Sequence, residues 1–374
     1  MREANWNRVW LLVGSLLLSL GLAEVALRLR VDTFTILRWD GDEDLWKYLW
    51  NRGSTRSNPR LVHSGTLGWR PRPGYRTDQF TLNSRGLRGA REYPYEKGSG
   101  ERRIVAVGDS FTFGSVDPAL MAPIPDEAVY TARLEQSLPG VSVLNLGVDG
   151  YGTDQLLLYL REEGFKYSPD LVILSVYVDD LVRATLSFRD YQKPKFELEA
   201  GKLVLTGVPV PPPEGNGRNL AFRLPRLYTW TLMRHGASVI AKDWLPLGSL
   251  EVDRLNGALL NDLREDVRQR GARLLVVLIP APNFATKVDR GERFLERWCR
   301  QTGVAFLSFR QELQTLPAHR RAMIYPVKLT PEGHSLLAEA IRKRIFEDED
   351  LRPAVAQEGV GLDSSYFPSQ NRHF

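Results

Sequence analysis

The chain has 374 residues, 43% of them hydrophobic, with 50 Lys and Arg against 45 Asp and Glu and a formal charge of +5. This apolar content supports a sizeable core in one large or two modest domains. Arginines are mixed with acids and form no sustained basic run, a pattern of solvated surface and not a nucleic-acid footprint. The single cysteine, Cys299, excludes an internal disulfide framework and reads as a small packed hydrophobe in an amphipathic stretch. No Cys/His cluster has zinc-like spacing, and neither a metal nor a nucleotide cofactor is expected.

In chain order, Val9 to Leu27 is apolar except for Gly, Ser and Glu24, and Arg2 and Arg8 precede it. Roughly 20 such residues span a bilayer. A cleaved signal peptide would end in a small-residue site, which Ala23-Glu24-Val25-Ala26 imitates poorly. An uncleaved anchor fits better, with Glu24 four residues before Arg28 and placed to pair with it. Arg28 and Arg30 balance Arg2 and Arg8, so charge alone does not orient the span. The reading adopted is an anchor over residues 1–30, with the bulk of the chain on the far side of the membrane. Residues 31–100 are a connector and lead-in. Phe34, Trp39, Trp46, Tyr48 and Trp50 suit either the membrane interface or packing against the main domain, and 65–89 are rich in turn formers.

From Ile104 the pattern changes. Ile104-Val-Ala-Val107 reads as a buried parallel strand, broken by Gly108-Asp109-Ser110 where the strand would end. Functional groups of open α/β sheets gather at that end. Ser110 is therefore either a nucleophile or the cap of the next helix. A helix is expected over Pro125 to Leu138 and a strand over Val141 to Gly147. Next come a helix capped by Thr153 or Asp154, a strand at Leu171 to Val176, and Asp179-Asp180. Residues 190–250 interrupt the rhythm with a hairpin turning at Ala200-Gly201 and the proline-rich Val208 to Pro213, an insertion or lid. The rhythm returns with a helix from Leu250 to Gly271, a strand from Leu274 to Ile279, a helix from Glu292 to Gly303 and a short strand from Val304 to Leu307. A last helix opens at Leu329-Thr330-Pro331-Glu332-Gly333-His334. Strand–helix alternation at this spacing implies an α/β domain over 101–349, a doubly wound, three-layer parallel sheet of flavodoxin-like type. Residues 350–374 read as a loose tail.

The blocks Gly108-Asp109-Ser110-Phe111-Thr112 and Asn145-Leu-Gly147-Val-Asp-Gly150 resemble those of the SGNH/GDSL hydrolases. The likeness covers roughly residues 65–345 and is greatest to the membrane-anchored bacterial branch. It implies Ser110 as nucleophile, with the backbone N–H groups of Gly150 and Ser110 as oxyanion donors. Two blocks depart from the family. Asp179 stands where a donating Asn is usual, and a carboxylate serves there only if protonated, for which Asp180 is a candidate like-charged neighbour. Where the family has Asp-x-x-His, this chain has Tyr325 and Lys328, which removes the usual base and its orienting acid. Lys328 replaces the base if desolvation lowers its pKa; His334, or His319 in a charged loop, are the alternatives. His63, His235 and His373 lie far from that turn. The resemblance implies a single-pass protein of the bacterial cell membrane, facing the periplasm or exterior. It would act on acyl esters, acetyl among them, of envelope polysaccharide. Two further readings are an O-acyltransferase and a non-catalytic relative that binds a glycan or protein.

Overall fold

The structure is a computed structural model. It describes residues 6–30, 58–115, 124–189, 191–213, 229–230, 233, 247–282 and 288–356. The connector aromatics, Gly215-Asn-Gly217, His235, His373 and the tail beyond 356 lie outside them.

Helix α1 (Trp6–Arg30) contains one stretch, Arg8–Ala26, long and apolar enough to cross a membrane. Near its end, Glu24 Oε2 accepts from both the backbone N–H and the hydroxyl of Thr229, each at 2.9 Å. This N-terminal helix is thus tied to the segment that interrupts the α/β rhythm. The expected partner, Arg28, has a side chain outside the described residues.

The antiparallel strands β1 (Leu61–Ser64) and β2 (Gly68–Pro71) precede a five-stranded sheet, β3 (Arg102–Gly108), β4 (Val141–Gly147), β5 (Leu171–Tyr177), β8 (Arg273–Ile279) and β9 (Ala305–Ser308). All its neighbours pair in parallel, in the order β4-β3-β5-β8-β9. The direction of winding reverses between β3 and β5, so their carboxyl ends flank the crevice where such sheets place their sites.

Both faces of this sheet are covered, which is why its strands are mostly apolar. Val105, Val107, Leu144, Leu146, Val172 and Leu174 point into one core. Their neighbours Ile104, Ala106, Val143, Leu171 and Ile173 point into the other. Period-two alternation between two buried faces is what a three-layer parallel sheet requires. The first face is covered by α4 (Thr153–Glu162), α6 (Leu247–Gln269) and α7 (Arg290–Thr302). The second is covered by α3 (Tyr130–Ser137), α8 (Phe309–Gln314) and α10 (Pro331–Glu347). Cys299 packs in the first core, where burial pushes its thiol up to about 12.

The hairpin expected at Ala200-Gly201 forms from β6 (Lys195–Glu199) and β7 (Lys202–Thr206), with Glu199 paired to Lys202 across a two-residue turn. Beyond it, Val210 donates to the Gly65 carbonyl at 2.7 Å, and His63 Nε2 lies 2.9 Å from the Val210 carbonyl. His63 therefore joins two loops.

Three local expectations need correction. Pro125 to Leu138 is not one helix: a 3-10 turn at Asp126–Ala128 is separated from α3 by extended Val129. Thr153 and Asp154 do not cap α4, because Gly152 holds that position. Thr153 bonds instead to the Asn256 side chain and Asp154 to the buried Lys193 ammonium. The stretch around His319 is not a loop but helix α9 (Ala318–Ile324), entered through Pro317 and built from helix-forming residues.

Candidate active site

Ser110 begins the four-residue helix α2 (Ser110–Phe113), which leaves the carboxyl end of β3. The capping task falls to Asp109, whose Oδ1 accepts from the Phe111 N–H at 2.9 Å. The Ser110 side chain is thus spared from capping. A Cβ on Gly147 would stand 2.1 Å from the Phe113 nitrogen, so only glycine lets the β4 loop come this close to α2. Asn145 completes the joint: its amide donates to the Thr112 carbonyl at 2.7 Å and to Thr131 Oγ1 at 2.9 Å.

The loop after β4 is held from outside. Trp69 Nε1 donates to the Asp149 carbonyl at 3.0 Å, and the Tyr151 hydroxyl donates to the Trp69 carbonyl at 2.5 Å. Arg60 pairs with the Asp149 carboxylate at 2.5 Å. Between these anchors Gly150 adopts φ +79°, a left-handed turn natural only to glycine. The lead-in segment therefore braces the very loop that carries Gly150.

The turn Tyr325 to Lys328 connects α9 to α10 and reaches the same crevice. Lys328 Nζ donates to Ser110 Oγ at 2.7 Å and lies 3.9 Å from the centroid of the Phe111 ring. Lys328 is half-buried, with its ammonium set against the Phe111 and Tyr177 rings. Desolvation there is the largest influence on it and pushes its pKa below the ordinary 10.5, opposed by Asp109 and reinforced by Arg183. Tyr325 occupies the position of the family's orienting acid. Its hydroxyl donates to the Pro280 carbonyl at 2.5 Å, and its ring meets that of Phe111 edge-on.

Behind Ser110 is a buried charge cluster. Ser110 Oγ lies 3.2 Å from Asp109 Oδ2, and Arg183 Nη1 lies 3.2 Å from that same oxygen. Arg183 Nη1 also reaches Asp180 Oδ1 at 2.5 Å, while Asp180 Oδ2 accepts from the Tyr177 N–H at 2.9 Å. Burial, then repulsion from Asp109, pushes the Asp180 carboxyl well above its ordinary value. Of the acidic pair, it is thus Asp180 that faces the buried interior. Asp179 is half-buried at the start of the short helix α5 (Asp180–Arg183).

His334 has a different neighbourhood. It is 1% exposed, its ring stacks on Tyr130, and its Nδ1 accepts from the Tyr130 N–H at 3.3 Å. Burial lowers its pKa to about 3. An acceptor that holds the first N–H of α3 is committed to packing, and the ring does not reach Ser110. His319 is exposed on α9. Of the three bases considered from the sequence, Lys328 is the one hydrogen-bonded to Ser110. Among the described residues, no cluster of three or more His, Cys, Asp and Glu is arranged to hold a metal ion.

Sequence reasoning missed Arg183 and the two rings, Phe111 and Tyr177, that enclose the Lys328 ammonium. Arg183 had one available signal, its i, i+3 spacing from Asp180.

Residues 106–336 match the model of the GDSL-like lipase/acylhydrolase family. That is more than half of the chain, and the chain belongs to this family. Among curated proteins, none matches. Solved structures with similarity include an acetylxylan esterase from Geobacillus stearothermophilus, 17% identical with a TM-score of 0.38, covering 65% of this chain and 93% of that one. A G-D-S-L family protein from Desulfitobacterium hafniense is 15% identical with a TM-score of 0.34, covering 65% of this chain and 99% of its own. An alpha/beta hydrolase from the metagenome of Lake Arreo, Spain, is 13% identical with a TM-score of 0.38, covering 67% and 96%.

Proposed function

From this family membership we propose a serine esterase that works through a Ser110–Lys328 dyad. The observation that carries the reading is the 2.7 Å contact between Lys328 Nζ and Ser110 Oγ in a site that disfavours the ammonium form. A neutral Lys328 takes the Ser110 proton as Oγ attacks the ester carbonyl. The backbone N–H groups of Ser110 and Gly150 receive the oxyanion. The Lys328 ammonium then returns the proton to the leaving alkoxide, giving an acyl-enzyme and free alcohol. In the second half, Lys328 takes a proton from water, hydroxide adds to the acyl carbon, and Ser110 leaves with that proton.

Asp179, in the place of the usual donor Asn, is assigned to the rim of the oxyanion site, where its carboxyl contributes only when protonated. The substrate is an acyl ester, acetyl esters of envelope polysaccharide being the finer reading. Its support is the apolar helix α1, which suits a single-pass anchor; that the α/β domain lies outside the cytoplasm is part of the proposal. The test uses the full chain in detergent. A serine-directed phosphonate labels Ser110, and Ser110→Ala loses both this labelling and p-nitrophenyl acetate hydrolysis. Absence of both in the unaltered protein from pH 6 to 10 overturns the esterase reading and favours a binding protein. Acyl transfer to a glycan acceptor in preference to water would instead identify an acyltransferase. Protease that reaches the domain only after the cytoplasmic face is opened would overturn the proposed orientation.

A further inference from the structure

A lysine that serves as a base beside Ser110 faces an electrostatic obstacle, the Asp109 carboxylate. Asp109 is fixed there by its capping bond to Phe111, and its Oδ2 lies 3.2 Å from the same hydroxyl that Lys328 approaches. A buried anion at this range holds a proton on the amine, which would leave the dyad without a base at neutral pH. The cluster contains the counterweight. Arg183 Nη1 contacts that very Oδ2 at 3.2 Å, and its side chain is 4% exposed, so water screens the pair little.

We propose that Arg183 is a positioning residue whose fixed charge neutralises Asp109 and thereby leaves Lys328 free to act as the base. This rests on the dyad reading and deepens it. The arginine is well suited to the role. It stays charged at every working pH, and it is gripped from the other side by Asp180 at 2.5 Å, which fixes where its charge sits. Asp180 is in turn locked by the Tyr177 N–H. A second buried ion pair secures the backbone around it: Lys193, bound to Asp154, also donates to the Arg183 carbonyl at 3.3 Å and the Leu186 carbonyl at 3.0 Å. Other groups that act on the Lys328 ammonium include Asp149, which favours its charge, and Arg189, which opposes it; Phe111 and Tyr177 present ring faces. Removing Arg183 thus returns Asp109 to Lys328 as an uncompensated counter-ion.

The experiment measures kcat/KM for p-nitrophenyl acetate against pH in the full chain and in Arg183→Gln and Arg183→Lys. The rising limb reports deprotonation of Lys328 in the free enzyme. Arg183→Gln is expected to move its midpoint up by about one pH unit or more, so that activity falls about tenfold below the midpoint and recovers towards the plateau in alkali. Arg183→Lys, which keeps the charge, is expected to hold the midpoint near its original value. A uniform loss of rate at all pH values with an unmoved midpoint would assign Arg183 a purely structural role and overturn the proposal. If Arg183→Gln does not fold, Asp109→Asn decides. Neutralising Asp109 leaves the Arg183 charge without that counter-ion beside Lys328, so the midpoint is expected to fall by about one unit or more, and an unmoved midpoint overturns the proposal. Failure of the dyad reading itself looks different: the unaltered protein then has no limb that disappears in Lys328→Met.

Discussion

Lys328 and His334 stand six residues apart, are both enclosed, and both have pKa values pushed down by burial. They nevertheless belong to different regions. Lys328 ends the turn that enters the crevice at the carboxyl ends of β3 and β5, and its partner is the Ser110 hydroxyl. His334 lies in the first turn of α10, stacked on Tyr130 of the second core, where its partner is a backbone N–H of α3. Desolvation alone therefore does not mark a catalytic base. What separates the two is the group each nitrogen meets: a hydroxyl that can give up a proton, or an amide that cannot.

The largest expected effect breaks this comparison at its functional end. Lys328→Met should lower esterase activity by about 10²–10⁴-fold, the usual worth of a general base, and should abolish the rise of rate with pH. The same change should not lower thermal stability at neutral pH. The unfolded chain carries this lysine protonated, and the fold works against that charge. His334→Ala should do the reverse. Loss of a buried ring and of the acceptor for Tyr130 should cost about 2–4 kcal/mol in denaturant unfolding, while the midpoint of the pH–rate profile stays in place.

A smaller effect concerns acid. The fold holds His334 neutral down to about pH 3, whereas the unfolded chain protonates it near 6.5. The unfolded state binds the extra proton in this window, so stability is full above about 6.5 and falls as the pH drops, by up to about 1.4 kcal/mol per unit. His334→Gln should flatten this slope in unfolding curves recorded between pH 7 and 4. Smallest is Tyr325→Phe. Its hydroxyl bonds to the Pro280 carbonyl and not to Lys328, so stability should fall by about 1 kcal/mol with the pH–rate midpoint unmoved. A shifted midpoint would give Tyr325 the orienting role of the acid it replaces.

The five parallel strands were legible in the sequence because each is a short β-branched or leucine-rich run between turn formers, the mark of a strand buried on both faces. Ser110 was legible for a related reason: Gly-Asp-Ser ends such a run. Lys328 emerged from its spacing to the intact Leu329-to-His334 block. Arg183 was not legible, since its meaning depends on Asp109, 74 residues earlier. Nor was the partner of His334, which is 204 residues away. Local periodicity reports which face of an element is buried; it carries no record of which polar groups meet there. The same limit explains the misplaced α4 cap, where Thr153 and Asp154 are recruited by distant Asn256 and Lys193. It explains the His319 segment too, where charged residues that suit a loop equally suit the exposed face of a short helix.

The most direct test of the Ser110–Lys328 account is the rate at which a phosphonate modifies Ser110, followed by mass spectrometry from pH 6 to 10 in the unaltered protein and in Lys328→Met. The account predicts a rate that climbs about tenfold per pH unit to a plateau in the unaltered protein, and a slow rate without that limb in the variant. Superimposable profiles would contradict it.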